Sequence, residues 1–256
     1  MNFKFLYSLC GAFFFDSLKA VILQPFLVGE FMLLTPRLKK IADLIPKDST
    51  LADIGTDHAY LPAYCVLNYI SPYAIAMDIN RGPLNSAAQT VNNYSLTDKI
   101  DLRLSDGIAK LNKGETDVIV IAGMGGLLIK NILSKDSSLI KKGTTLILQP
   151  MLAQKELREY LYTSENAVTD EYLAREGDKI YNIIVAKSGY NSDYTTEDIV
   201  IGRNIKSNSP ELYNLYIERN IRILNKIIDG QCKASNRDTD ALNTAKAELE
   251  MLKKEI

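Results

Sequence analysis

Hydrophobic residues fall along this chain in short continuous runs and in three-and-four spacings, and the alternation of the two outlines its elements. Short apolar runs at residues 50–55 (TLADIG), 73–79 (YAIAMDI), 100–105 (IDLRLS), 117–122 (DVIVIA) and 144–149 (TTLILQ) predict five strands. Between them, helical patterns are expected at residues 59–69, 83–94, 126–133 and 153–162. An earlier helix opens with Thr35-Pro36, a capping hydroxyl followed by a proline where the first turn tolerates one. It continues through Leu38, Ile41, Ala42 and Ile45 and stops at Pro46. Two more strands fall at 167–175 and 180–186. Strand–helix alternation from 50 to 162 predicts a parallel sheet with helices on both faces. The near-continuous apolar character of DVIVIA and TTLILQ agrees, because parallel strands are buried on both sides. No helix separates the last two strands, so they are expected as an antiparallel hairpin at one edge of the sheet.

Past this region the pattern changes. Residues 189–210 are polar and turn-rich and read as a linker. Then Tyr213, Tyr216, Ile217, Asn220, Ile221, Leu224, Ile227 and Ile228 follow a three-and-four spacing. A polar turn at 230–240 precedes Leu242, Ala245, Leu249, Leu252 and Ile256. Two amphipathic helices in residues 211–256 are expected to pair antiparallel as a coiled-coil hairpin, with packing on the main domain as the alternative.

Composition narrows the picture. With 30 Lys+Arg against 31 Asp+Glu, the chain is no histone-like polycation, although a local basic face remains possible on a neutral protein. Cys10, Cys65 and Cys232 form no CxxC pair, which argues against a structural zinc site or a disulfide framework and suits a reducing cytoplasm. His58 is the one histidine, so mechanisms that need two are excluded and no metal is expected. Residues 1–31 stand apart: two apolar runs, FLYSLCGAFFF and AVILQPFLVG, are divided by Asp16 and Lys19, and Pro25 breaks the second. Neither reaches the roughly 18–20 apolar residues of a membrane span. This extension is expected to lie upstream of a chain that starts at Met32, the alternatives being a membrane or targeting segment and an N-terminal helix packed on the domain. No membrane association is expected.

Candidate chemistry gathers where an open α/β sheet binds ligands, beyond the carboxyl ends of its strands. Those ends carry Asp53, Gly55, Asp57 and His58, then Asp78, then Asp106-Gly107, then Ala122-Gly123-Met124-Gly125-Gly126, then Gln149-Pro150. The first loop has one glycine where a dinucleotide site uses G-x-G-x-x-G, and its carboxylates would repel a pyrophosphate. They suit a ligand with an amino group, a positive sulfur and ribose hydroxyls, which describes S-adenosylmethionine (SAM). Asp78, 25 residues after Asp53, is spaced to meet the ribose diol, and Asp106 can reach the adenine amino group.

The stretches DIGTDHAYLP, RGPLNSA, SDGI, IAGMGG and LILQP together resemble the bacterial TrmK family, SAM-dependent methyltransferases acting on N1 of adenine 22 in tRNA. The resemblance runs from about Leu34 to Ala186. It implies a seven-stranded Rossmann-like class I methyltransferase domain (residues 32–188) followed by a coiled-coil hairpin. It implies a cofactor site of Asp53, Gly55, Asp57, His58, Asp78, Asp106 and Gly107, to which we add Arg37, Ile79, Ala122 and Gly123. It also implies a methyl-transfer pocket lined by Met124, Gly125 and Gly126, with Gln149 and Pro150 beside it. Two residues depart from the family pattern: Met151 stands where Asn is usual after Gln-Pro, and Asn182 where Glu usually follows Tyr181.

Alkylation at N1 leaves positive charge on the adenine ring, relieved by loss of an N6 proton, and a nearby carboxylate would stabilise it. Asp57 is the first candidate, since it lies in the loop after the first strand with no obvious salt partner; His58 is the second. For RNA, basic residues cluster at Arg37, Lys39 and Lys40, at Arg203, Lys206, Arg219, Arg222 and Lys226, and at Lys253-Lys254. Competing readings are a methyltransferase of the same fold with another substrate and a non-catalytic RNA-binding protein. Deleting residues 202–256 is expected to separate the first from tRNA methylation.

Overall fold

The computed structural model describes residues 32–233 and 238–256. Its centre is a seven-stranded sheet: β1 (Leu51–Ile54), β2 (Ala74–Asp78), β3 (Ile100–Leu104), β4 (Val118–Met124), β5 (Thr145–Pro150), β6 (Asn166–Glu176) and β7 (Lys179–Ser188), in the order β3-β2-β1-β4-β5-β7-β6. The first five strands are parallel, β7 runs antiparallel to β5, and β6 antiparallel to β7. The expected edge hairpin is therefore present. Helices α1 (Pro36–Asp43), α2 (Tyr60–Leu67), α3 (Arg81–Asn93), α4 (Gly126–Lys135) and α5 (Gln154–Thr163) cover the two faces. Thr35 caps α1, its Oγ1 accepting from Leu38 N.

Alternate residues of each strand feed opposite cores, as the two-residue period of a strand requires. Leu51, Val118, Val120 and Ile147 pack on one side with Ile41 of α1 and Val66 of α2. Ala52, Ile54, Ile119, Ile121, Leu146 and Leu148 pack on the other with Ile129 of α4 and Leu157 of α5. Strand order reverses between β1 and β4, so the ligand crevice of such a sheet opens above their carboxyl ends.

Three features differ from expectation. Strand β4 runs to Met124, two residues further than the apolar run suggested, with a register break between Ala122 and Met124. Residues 189–210 do not form a loose linker: they fold into α6 (Thr196–Val200) and α7 (Ile205–Asn208) and bury Ile199, Ile201 and Ile205. The C-terminal helices α8 (Pro210–Lys233) and α9 (Thr239–Lys253) pair antiparallel, with Tyr213 at the start of α8 donating to Glu255 Oε2 just past α9. Their base is also fixed to the sheet, where Tyr213, Tyr216, Ile217 and Leu252 pack with Leu173 and Ile180. Both readings of the hairpin thus describe part of it. Beneath this base lies a fully buried ion pair, Arg158 Nη2 to Glu171 Oε2 at 2.8 Å. Arg158 also donates to the carbonyls of Ile199 and Ile201 and to the Tyr216 hydroxyl, so one guanidinium ties α5, β6, α6 and α8 together. The extension 1–31 lies outside the described residues. Among those described, no helix is long and apolar enough to cross a membrane.

Candidate functional site

Above β1, β2 and β3 the crevice is acidic. Asp53 is buried and interacts with Asp78, Arg37 and the Thr56 hydroxyl. Burial, reinforced by the charge of Asp78, pushes its carboxyl up to about 6 despite the hydrogen bond from Thr56 and the charge of Arg37. Gly55 follows with φ +79°, and a side chain there would collide with the Met124 methyl, 2.1 Å from an added Cβ. Only glycine lets the loop turn there with Met124 lying across it. The backbone N–H groups of Gly55 and Thr56 both donate to Met77 O, and Thr56 Oγ1 accepts from Ala59 N as α2 begins.

Asp57 and His58 project outward. The Asp57 side chain is 80% exposed, and His58 Nε2 stands 3.5 Å from its Oδ2. His58 is thus the ionisable neighbour of Asp57, an ion pair only when the imidazole is protonated. The imidazole stacks on Tyr60, rings 5.0 Å apart and 9° from parallel. Asp78 Oδ1 accepts from Asn80 N at 2.6 Å, and Ile79 is exposed beside it. Asp106 pairs with Lys135 of α4 at 2.7 Å on the surface, which raises the lysine pKa. Gly107 adopts φ +58° with Ile132 of α4 beneath it.

Above β4 and β5 the crevice is built from backbone and apolar groups. Gly126 N donates to Leu152 O and Met151 N to Met124 O, both at 2.8 Å, so the two loops are stitched together. A Cβ on Gly126 would sit 2.2 Å from Ala153 O. Gly123 N donates to Gln149 Oε1 at 3.1 Å, and Gln149 is wholly buried. Arg37 Nη1 donates to the same oxygen at 2.8 Å. Leu127, Leu128, Met151 and Leu152 are exposed along the rim.

The strands thus bring Asp53, Gly55, Asp78, Ala122, Gly123, Met124 and Gln149 to one crevice, with Asp57, His58, Ile79, Asp106 and Gly107 around its β1–β3 side and Gly125, Gly126 and Pro150 around the other. Arg37 turns toward Gln149, Glu176 and Tyr181. Sequence reasoning missed Thr56, Tyr60, Glu176 and the Leu127-Leu128 and Leu152 rim. The first two stand inside the quoted DIGTDHAYLP motif and were readable there. Glu176 and Tyr181 reach the site only because the β6–β7 hairpin folds back beside β5, which no local pattern reveals. Among the described residues, no group of His, Cys, Asp and Glu is placed to hold a metal ion.

The residues fit SAM: Gly123, where an added Cβ would meet nothing nearer than Arg37 Nη1 at 3.9 Å, opens the crevice beside carboxylates suited to a cationic, hydroxyl-bearing ligand. The family model described as a methyltransferase domain matches residues 34–184. The tRNA (adenine(22)-N(1))-methyltransferase of Bacillus subtilis (strain 168) is 43% identical over 156 residues, 61% of this chain. That alignment spans 66% of the relative's own length, just under two thirds of it. The crystal structure of the B. subtilis m1A22 tRNA methyltransferase TrmK superposes with TM-score 0.77 at 32% identity, covering 87% of this chain and 98% of that one. M. capricolum TrmK, solved with the cofactor product S-adenosyl-homocysteine, gives TM-score 0.73 at 31% identity over 86% of this chain and 96% of that one.

Proposed function

This chain belongs to the TrmK family of methyltransferases, and on that premise we propose that it transfers the methyl group of SAM to N1 of adenine 22 in tRNA. The observation that carries the reading is the crevice itself, acidic above β1–β3 and glycine-lined above β4–β5, on a chain that aligns with TrmK over 98% of that solved structure. SAM supplies an activated methyl group on a positive sulfur. Asp53, Gly55, Asp78, Ile79, Asp106 and Gly107 would hold it. Ala122 and Gly123 border both halves, and the Met124–Gly126 loop would present the base.

Much of the rate in such a displacement comes from alignment of the two reacting atoms, and a well-oriented pair is worth several orders of magnitude. N1 lies on the pairing edge of adenine, so the base must leave its stack before it can react. The ring gains charge as N1 is alkylated and loses it with an N6 proton. We assign to Asp57 the stabilisation of that charge, and to His58, whose Nε2 lies 3.5 Å from the Asp57 carboxylate, the passage of the proton to water. A single-turnover assay of Asp57→Ala at saturating SAM should show slower transfer with unchanged SAM affinity; undiminished transfer removes Asp57 from the chemistry.

The partner is tRNA. Several of the basic residues picked from sequence are tied up at home: Arg203 donates to Val168 O, Arg219 to Ile180 O, and Lys206 pairs with Glu255. Arg222 and Lys226 stay exposed on α8 and are the stronger candidates for phosphate contacts. Affinity for tRNA should then fall steeply with salt as counterions are released. A tRNA-modifying role places the protein in the cytoplasm. The decisive experiment incubates the full chain with SAM and unmodified tRNA and maps the product. One methyl group on N1 of A22, and none on a tRNA with guanine at that position, is the expected result; modification elsewhere or of a small molecule alone overturns it.

A further inference from the structure

We infer that Gln149 is a positioning residue for methyl transfer, acting with Arg37 to hold the Gly123 loop in shape, and that the Gln149 amide is not a direct ligand of cofactor or base. The inference rests on the methyl-transfer reading above.

A primary amide offers two acceptor sites and two donor hydrogens, and a buried one must use them inside the protein. Gln149 is 0% exposed. Its Oε1 accepts from Arg37 Nη1 at 2.8 Å and from Gly123 N at 3.1 Å, which uses both lone pairs. Its Nε2 donates to Pro150 O at 3.1 Å and faces Met151 Sδ at 3.5 Å. Little hydrogen-bonding capacity remains for a ligand.

Arg37 is held from three sides, by one hydrogen bond, one ion-pair contact and one aromatic ring. Besides Gln149, its Nε lies 3.8 Å from Glu176 Oε2, and its guanidinium carbon lies 5.4 Å from the centre of the Tyr181 ring. Glu176 Oε2 is buried without a hydrogen-bond partner, so the guanidinium supplies the charge that offsets it. One side chain of α1 thus bridges β5, the end of β6 and the start of β7.

What this node grips is the residue that most needs gripping. Gly123 has φ +79° and stands in the register break of β4, between Ala122 and Met124. The Gln149 oxygen is the acceptor that fixes its N–H. Release of that bond would free the peptide next to the reacting atoms, where a shift of about 1 Å can cost on the order of 100-fold in rate.

The test is a double-mutant cycle on the full chain with Gln149→Ala, Arg37→Ala and the pair, read three ways: amide exchange of the 122–126 segment, SAM affinity, and kcat on tRNA. Each single variant should speed exchange of the Gly123 amide at least tenfold and lower kcat at least tenfold, while SAM affinity stays within threefold. The double variant should be no worse than the worse single one. Gln149→Glu, which keeps two acceptor sites, should restore much of the Gly123 protection, a rescue that a mere loss of bulk would not show. Unchanged Gly123 exchange, or losses that multiply in the double variant, overturn the proposal. So does a tenfold loss of SAM affinity in Arg37→Ala with kcat intact, since that makes Arg37 a cofactor ligand. If a variant to alanine does not fold, Arg37→Met and Gln149→Met, which keep the bulk and remove the polar groups, carry the cycle. Exchange reports on the grip whether or not methyl transfer occurs, so a wild-type chain inactive on tRNA defeats the functional reading separately.

Discussion

The two halves of the crevice are built on opposite principles. Above β1–β3 stand carboxylates with few protein partners. Asp57 is largely exposed, Asp106 is held by one surface lysine, and Asp78 accepts one backbone N–H. Above β4–β5 stand glycines pinned by backbone bonds and by the buried Gln149 amide, with an apolar rim. Groups awaiting a charged ligand keep their hydrogen-bonding capacity open and exchange water for it on binding. Groups that set the geometry of a reaction gain from being saturated and stiff before the substrate arrives. On the proposed function, Asp53, Asp78 and Asp106 of the first half are suited to binding and the second half to placement, while Asp57 stands apart as the residue assigned to the chemistry.

Substitutions should therefore separate by half, and the largest effect is expected from Gly126→Ala. Its Cβ would meet the Ala153 carbonyl at 2.2 Å, a backbone atom that cannot swing aside. Transfer should fall about 100-fold or more, with stability lower by about 1–3 kcal/mol. SAM affinity, measured by calorimetry, should stay within about threefold; an equal loss of affinity would erase the distinction between the halves.

Asp78→Ala is the complementary test. Loss of a charged hydrogen-bonding group should weaken SAM about 10–100-fold. Its melting temperature should barely move, because the carboxylate supports one local backbone bond.

The third test is a pH profile. The Asp53 carboxyl titrates near 6 in the folded chain, mainly because it is buried, against about 4 when unfolded. Between those values the folded state binds the extra proton, so stability falls as pH rises from about 4 to about 6 and Asp53 contributes no further change above that. Chemical denaturation should show a decline of up to ~3 kcal/mol in that window for the wild type relative to Asp53→Asn. SAM, being cationic, should bind more weakly below pH 6 in the wild type. A flat difference between the two proteins would mean that Asp53 is not held in its buried environment.

The smallest effect is expected from Met151→Asn, which restores the residue usual in the family. Met151 is 40% exposed, and its sulfur only brushes the Gln149 amide. Stability should change by no more than about 0.5 kcal/mol and kcat by less than about threefold.

The deletion of 202–256 now looks less clean than its sequence suggested. It would take Tyr216 from Arg158 and expose Leu173 and Ile180, so the catalytic domain would suffer along with the hairpin. Point changes at Arg222 and Lys226 separate RNA binding from folding better.

Much of this was legible in the chain itself. Short apolar runs and three-and-four spacings located all seven strands and the main helices, because strands buried on both faces and helices buried on one each leave a local trace in sequence. DIGTDHAYLP and IAGMGG placed the carboxylates and glycines, since tight turns and charged ligands demand those residue types at fixed offsets. What stayed hidden was contact between distant segments. Residues 189–210 look like a polar linker because their three buried isoleucines carry no period. Asn182 and Arg158, 24 positions apart, meet at 3.3 Å in the junction beneath the hairpin. Arg37 read as a cofactor-site residue and as one of several basic residues for RNA, and only the return of β6 and β7 beside β5 sets it against Gln149, Glu176 and Tyr181. Sequence determined which elements form and which chemistry stands at their ends. The tertiary structure decided which of those groups remain available to a ligand and which are already bound by the protein, because a hydrogen bond made across 112 residues depends on where the sheet brings its ends together.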